Sequence, residues 1–174
     1  MAKFLSVVTS IKIEEFQYLE LKNTELDSQY LDEKLGRLDI KLKLKNGQKI
    51  NIEMQNILFD YYEKRTIFYT SKLLINDFEK GEKYQELKKT ISINIVNQKF
   101  TKSNKVHSIF QILEKEERTP LDDVMEIHFL DLTKLGNKKE TDLEKWLQFI
   151  KTDDNKKRKE LSKGGMKRWK KHIQ

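Results

Sequence analysis

Two carboxylates and an amide stand where two short runs of alternating residues present their polar side chains. Asp39 lies in the run 38–45, and Glu53 and Gln55 lie in the run 50–55. Alternation with a period of two predicts that each run is a β-strand buried on one face. Rigid strands with hard oxygen ligands can hold a divalent cation, as metal-dependent hydrolysis of a phosphodiester requires.

The connection between the two runs contains Asn46-Gly47, which is a strong hairpin signal. A two-residue loop would set Asp39 opposite Met54. The apolar rows of the two strands would then face opposite sides of the sheet, which is incompatible with burial of one common face.

A three-residue loop with Gly47 in the left-handed conformation brings Ile40 opposite Ile52 and Asp39 opposite Glu53. Burial of one face selects this register. Directly opposed residues have Cβ atoms about 4.5–5.5 Å apart, so the two carboxylates are close enough to share one cation. Without a cation or a proton they would repel each other.

The hairpin alone is also compatible with an ordinary exposed face that carries two acids among lysines, because alternating polar faces are common. The order of motifs along the chain favours the metal site. After the Asp39 strand and the glycine turn, the motifs are 52–55 (IEMQ), Arg65 with 69–71 (YTS), 81–84 (GEKY), 91–95 (ISINI), 106–110 (VHSIF) and 125–132 (MEIHFLDL).

In this order the motifs resemble those of the PD-(D/E)XK nuclease superfamily, and more closely those of the recombination-promoting nuclease and putative transposase family. The resemblance implies an α/β fold: a restriction-endonuclease-like core with a mixed β-sheet flanked by helices. It also implies that Asp39 and Glu53 bind Mg²⁺, or Mn²⁺ in its place, together with the backbone carbonyl of Met54. Gln55 replaces the usual lysine of the superfamily, so it would orient water or phosphate without adding positive charge.

The activity that this resemblance implies is metal-dependent endonuclease cleavage of DNA, in the context of DNA recombination. One alternative is a catalytically inactive nucleic-acid-binding protein with the same fold. The other is a module that binds another protein and has no role with nucleic acid.

Arg65 follows on the predicted helix, where it could hold a phosphate or fix Glu53 through a bidentate ion pair. An ordinary surface ion pair with Asp60, Glu63 or an upstream acid is the alternative. We expect Tyr69 to serve packing rather than catalysis.

We expect a nuclease-like domain over residues 1–152 and a basic tail over residues 153–174. The tail cations predicted to contact DNA phosphates are Lys156, Lys157, Arg158, Lys159, Lys163, Lys167, Arg168, Lys170 and Lys171. A solvated basic terminus is the alternative. Relatives begin with a longer first helix, so we expect a truncated copy that cleaves DNA weakly or not at all and tends to self-associate as a homo-oligomer.

The composition excludes several classes of function. The chain of 174 residues contains no cysteine, so disulfides, zinc fingers and thiol catalysis are excluded, and a cytoplasmic location is expected. No apolar run is long enough to span a membrane, so no membrane partner is predicted. A net charge of +7 suits a polyanionic partner such as DNA.

The remaining elements are predicted from periodicity and from turn residues. We expect a short first helix over residues 2–10, a helix over 60–80 that ends before Gly81, and a helix capped by Thr141 or Asp142. Strands are predicted over 16–21, 90–96, 106–113 and 124–132, with a loop over 22–36. His107 and His128 lie in predicted strands, where structural roles are expected.

Overall fold

The computed structural model describes residues 1–16, 38–55, 60–99, 102–136 and 141–152, and only the backbone of Leu38 and Asp39. These residues form a five-stranded mixed sheet and three α-helices. The elements are α1 (Ala2–Thr9), β1 (Leu38–Lys43), β2 (Lys49–Gln55), α2 (Tyr62–Ile75), β3 (Thr90–Val96), β4 (His107–Phe110), β5 (Met125–Asp131) and α3 (Asp142–Lys151). The predicted α/β fold is confirmed.

The strand order is β1-β2-β3-β5-β4. The central pairs β2–β3 and β3–β5 are parallel, and the outer strands β1 and β4 are antiparallel to their neighbours. Strand β3 is buried along its whole length, as expected for a β-branched run at the centre of a sheet covered on both faces.

The main core lies between one sheet face and helices α1 and α3. Ile50, Ile52 and Ile93 are fully buried on the sheet side, and Phe4 and Leu147 are fully buried on the helical side. Phe4 also meets Trp146 edge to face at 6.0 Å. This core requires the apolar residues of β1 and β2 to share one face, which constrains the register of the hairpin.

The hairpin has the predicted register. Ile40 pairs with Ile52, and Asp39 pairs with Glu53. The turn closes through the amide of Gly47, which donates to the Leu44 carbonyl at 2.9 Å. Gly47 has φ +85°, the left-handed conformation that glycine adopts without steric cost.

Helix α3 begins at the predicted cap. The Thr141 hydroxyl accepts from the amide of Glu144, and the Glu144 carboxylate accepts from the amide of Thr141. This reciprocal capping box satisfies two amides that a helix start would otherwise leave unpaired. It fixes the position from which Trp146 and Leu147 enter the core.

Several predicted bounds were wrong. The helix predicted over 60–80 ends at Ile75, and the strand predicted over 106–113 is reduced to His107–Phe110. Phe16 closes a 3₁₀ turn (Ile13–Phe16) instead of opening a strand. The rest of that predicted strand, the loop over 22–36 and the tail over 153–174 lie outside the described residues.

Among the described residues, no helix combines the length and apolar character needed to cross a bilayer.

Candidate active site

The sheet face opposite the main core carries the predicted acidic pair. On strands β1 and β2 this face presents Asp39, Lys41, Asn51, Glu53 and Gln55, because these residues alternate with the buried apolar row. Asp39 and Glu53 are directly paired across the two strands. The Asp39 side chain lies outside the described part of the structure, so its placement rests on the backbone register.

Glu53 is buried, with 6% of its surface exposed, and it is held by Arg65 of helix α2. Arg65 Nη1 donates to Glu53 Oε1 at 2.9 Å and to Oε2 at 3.2 Å. One nitrogen therefore serves both oxygens, in place of the two-nitrogen fork expected of a bidentate pair. The expectation that Arg65 lies against Glu53 is met, and the surface pairs with Asp60 or Glu63 are not formed.

A second cation attaches the other end of α2 to the same strand. Lys49 Nζ donates to the backbone carbonyls of Leu73 and Leu74 at 3.0 and 3.2 Å. These carbonyls belong to the last turn of α2, where a cation is favourable because carbonyls there lack intrahelical partners. The lysine was not singled out in the sequence, since burial of a lysine at a strand start has no periodic signature.

The two cations show how α2 lies over the sheet. Arg65 and Leu73 are eight residues apart on a helix, which is about 12 Å. Glu53 and Lys49 are four residues apart on a strand, which is about 13 Å. The matching spans mean that α2 runs antiparallel to β2 and that its first half lies over Glu53.

Two buried oxygens on the same face lack partners within the described segments. They are Gln55 Oε1 and Asn51 Oδ1, on either side of Glu53 along β2. A buried acceptor without a partner is costly, and a native protein normally satisfies it with water, an ion or a ligand. Amide and carboxylate oxygens of this kind are the ligands that Mg²⁺ and similar hard cations prefer.

Asn94 of β3 is the neighbour of Glu53 in the sheet, but its polar atoms are occupied. Its Nδ2 donates to the His128 carbonyl at 3.2 Å, and its Oδ1 accepts from the Tyr62 hydroxyl at 3.2 Å. Asn94 therefore fixes the start of α2 over the site instead of offering a ligand. This contact could be predicted from the sequence only if the pairing register of β2 with β3 were known.

The two histidines lie on the opposite sheet face and contact each other. His107 Nε2 is 2.9 Å from His128 Nδ1, and His128 Nε2 is 3.2 Å from Glu126 Oε2. Burial, with a smaller contribution from His128, lowers the pKa of His107 from 6.5 to about 4. The hydrogen bond from His128 lowers the pKa of Glu126 to about 2. The ionised carboxylate accepts from His128 Nε2, and the two histidine rings share one hydrogen bond between His107 Nε2 and His128 Nδ1.

The remaining predicted site residues are placed as follows. The Met54 side chain packs against the main core, on the face away from Glu53, and the use of its carbonyl stays a prediction. The nine cations of the tail lie outside the described residues. Within the described residues, no three His, Cys, Asp or Glu side chains form a group able to hold a metal, and this count does not include the Asp39 carboxylate.

The mixed sheet flanked by helices is consistent with a restriction-endonuclease-like core. The family model described as PD-(D/E)XK nuclease family transposase matches residues 1–173. The chain therefore belongs to this family. Comparison with curated proteins and with solved structures gave no significant match.

Proposed function

We propose that the protein is a Mg²⁺-dependent DNA endonuclease in which Asp39 and Glu53 hold the ion. Membership of the nuclease family makes DNA the expected substrate. The observation that carries the proposal is the β1–β2 register, which sets Asp39 directly opposite the buried Glu53. Carboxylates on directly paired residues repel each other unless a cation or a proton lies between them.

The residues on this face fit a divalent ion. Asp39 and Glu53 would supply carboxylate oxygens, and the amide oxygen of Gln55, which has no partner in the described segments, lies two residues along the same strand. The Met54 carbonyl is a further proposed ligand. When bound, the ion would lower the pKa of a coordinated water and balance charge on the phosphate.

Arg65 has two roles in this proposal. It keeps the Glu53 carboxylate in place on a rigid helix–strand contact before the substrate arrives. Its other guanidinium nitrogens have no hydrogen-bond partner in the described segments. They are thus free to donate to a phosphate oxygen, the geometry for which a guanidinium is suited.

Gln55 is proposed to orient the attacking water or the scissile phosphate through its amide. Its side chain is buried, with 7% of its surface exposed, so the amide has few alternative orientations. Because the amide is neutral, the charge that lysine supplies elsewhere in the superfamily must come from Arg65 or from the ion.

The test is cleavage of supercoiled plasmid DNA by the full chain, with Mg²⁺ and with EDTA. We expect nicked and linear products that appear only with Mg²⁺ or Mn²⁺ and are lost in Glu53→Gln and Asp39→Asn. Glu63→Gln, at an exposed position on α2, is the matched control and should retain cleavage. Metal-independent cleavage, or full cleavage by Glu53→Gln, would contradict the proposal. DNA binding without cleavage in the wild type would favour the inactive binding protein instead.

A further inference from the structure

Helix α2 carries two exposed aromatic rings directly beside the acidic site. Phe68 and Tyr69 are 61% and 41% exposed, and their rings meet edge to face with centroids 5.3 Å apart. The Arg65 guanidinium carbon lies 4.6 Å from the Tyr69 ring centroid, and the same guanidinium bonds Glu53. The two rings therefore extend the site outwards along the flank of α2.

Docking of α2 onto the sheet does not explain these rings. The buried residues of the helix are Tyr62, Thr66 and Thr70. Tyr69 lies beside Arg65, whereas Phe68 lies on the face of the helix turned away from the sheet. A single exposed apolar side chain is ordinary, but two adjacent rings beside a buried charged site mark a binding surface.

Cations surround the two rings on the helix surface. Arg65 and Lys72 are three or four residues from both Phe68 and Tyr69, the spacing at which helical side chains are neighbours. Lys64 is four residues before Phe68. Aromatic rings set among cations suit a nucleic-acid strand, since bases stack on the rings while the cations meet the phosphates.

We infer that Phe68 and Tyr69 form a stacking wall for an unpaired base next to the scissile phosphate. The inference rests on the proposed function, because it takes DNA as the occupant of this face. The substrate would be DNA with a single-stranded or opened segment, because bases inside a duplex do not expose their faces for stacking. A protein partner is disfavoured by the cations, which would have to be desolvated in an apolar interface.

The experiment measures binding of the full chain to a fluorescein-labelled single-stranded oligodeoxynucleotide and to its blunt duplex, in EDTA so that no cleavage occurs. Phe68→Ala should weaken binding of the single strand by about 5- to 150-fold, the range measured for loss of one base–aromatic stack. Duplex binding should be unchanged. Phe68→Trp should restore affinity for the single strand, because it restores an aromatic surface. Ile67→Ala, which removes an exposed apolar side chain from the same helix, is the control and should change neither.

Equal losses for both DNAs, or no loss for the single strand, would overturn the inference. So would a change of oligomeric state in Phe68→Ala, measured by sedimentation, without a change in DNA affinity, because the rings would then bind a second copy. The readout is independent of catalysis. If Phe68→Ala binds the single strand normally while plasmid cleavage still depends on Glu53, only the stacking wall is wrong. If the wild type shows no metal-dependent cleavage, the nuclease proposal is wrong.

Discussion

Arg65 approaches Glu53 through one nitrogen, Nη1, which lies 2.9 Å from Oε1 and 3.2 Å from Oε2. The Arg65 guanidinium thus binds the same carboxylate that a metal ion would bind. The pair fixes the carboxylate and at the same time competes with the ion for its charge. This dual role leads to opposite expectations for metal affinity and for catalysis.

Replacing Arg65 with glutamine should raise the affinity for Mg²⁺ and lower the rate of DNA cleavage. Affinity should rise by about fivefold, because one competing positive charge near the site is removed. The cleavage rate should fall because Glu53 loses its anchor and the phosphate loses a donor. Titration calorimetry and plasmid cleavage measure the two effects. Lys80→Gln, at an exposed position beyond the end of α2, is the charge-matched control. A fall in metal affinity in Arg65→Gln would contradict the expected competition between Arg65 and the ion.

Replacing Gly47 with alanine should destabilise the protein and weaken metal binding together. Gly47 has φ +85°, and an added Cβ would lie 3.0 Å from Lys88 Cγ. Gly81 has φ +99° with nothing within 4 Å, so Gly81→Ala introduces similar backbone strain away from the hairpin. Both variants should lose about 1 kcal/mol in urea unfolding. Only Gly47→Ala should weaken Mg²⁺ binding. Equal effects of both variants on metal affinity would show that the Gly47 turn does not position the metal site.

Burial of His107, with a smaller contribution from His128, should make stability fall in mild acid. The folded pKa of His107 is lowered from 6.5 to about 4, so between these values the unfolded chain binds a proton that the folded chain does not. Stability is therefore fully present above pH 6.5 and is lost as the pH falls towards 4. Glu126 stays ionised over this window, since its folded pKa is about 2.

Urea unfolding at pH 7.5 and pH 5 tests this expectation. His107→Gln should show a smaller loss of stability between the two pH values than the wild type. His172→Gln, in the tail, is the control and should keep the wild-type loss. If the free energy of unfolding has the same pH dependence in all three proteins, protonation of His107 does not cause the loss of stability.

The basic tail should contribute phosphate contacts rather than fold stability. Substituting glutamine at Lys156, Lys157, Arg158 and Lys159 should weaken duplex binding and flatten the dependence of log affinity on log salt, by about 0.9 per lost contact. Glutamine at four exposed lysines elsewhere, Lys80, Lys83, Lys102 and Lys115, changes the net charge equally and serves as the control. If log affinity depends on log salt with the same slope in both variants, the tail contributes only through the net charge of the protein.

The sequence predicted the hairpin well because three independent requirements agree. Burial of Ile40 and Ile52, the conformation of Gly47 and the opposition of Asp39 and Glu53 all need the same register. The capped helix α3 was predicted for a similar reason, since Thr141 gives a local signal that tertiary packing reinforces.

Contacts between distant elements were harder to predict. Helix α2 has aromatic residues at helical spacing, yet Phe68 and Tyr69 are exposed, and the helix is buried instead through Tyr62 and two threonines. The spacing indicates a helix but not which face docks, because that depends on where Lys49 and Arg65 attach it to β2. The contact between His107 and His128 likewise depends on the pairing of β4 with β5.

Binding of Mn²⁺ to the full chain measures most directly whether Asp39 and Glu53 share one divalent ion. Electron paramagnetic resonance of free Mn²⁺, titrated with protein, measures stoichiometry and affinity without requiring DNA or catalysis. We expect one Mn²⁺ site in the wild type that is lost in both Asp39→Asn and Glu53→Gln and kept in Glu63→Gln. Mn²⁺ binding of equal strength in the wild type and in the Asp39→Asn/Glu53→Gln double variant would contradict it.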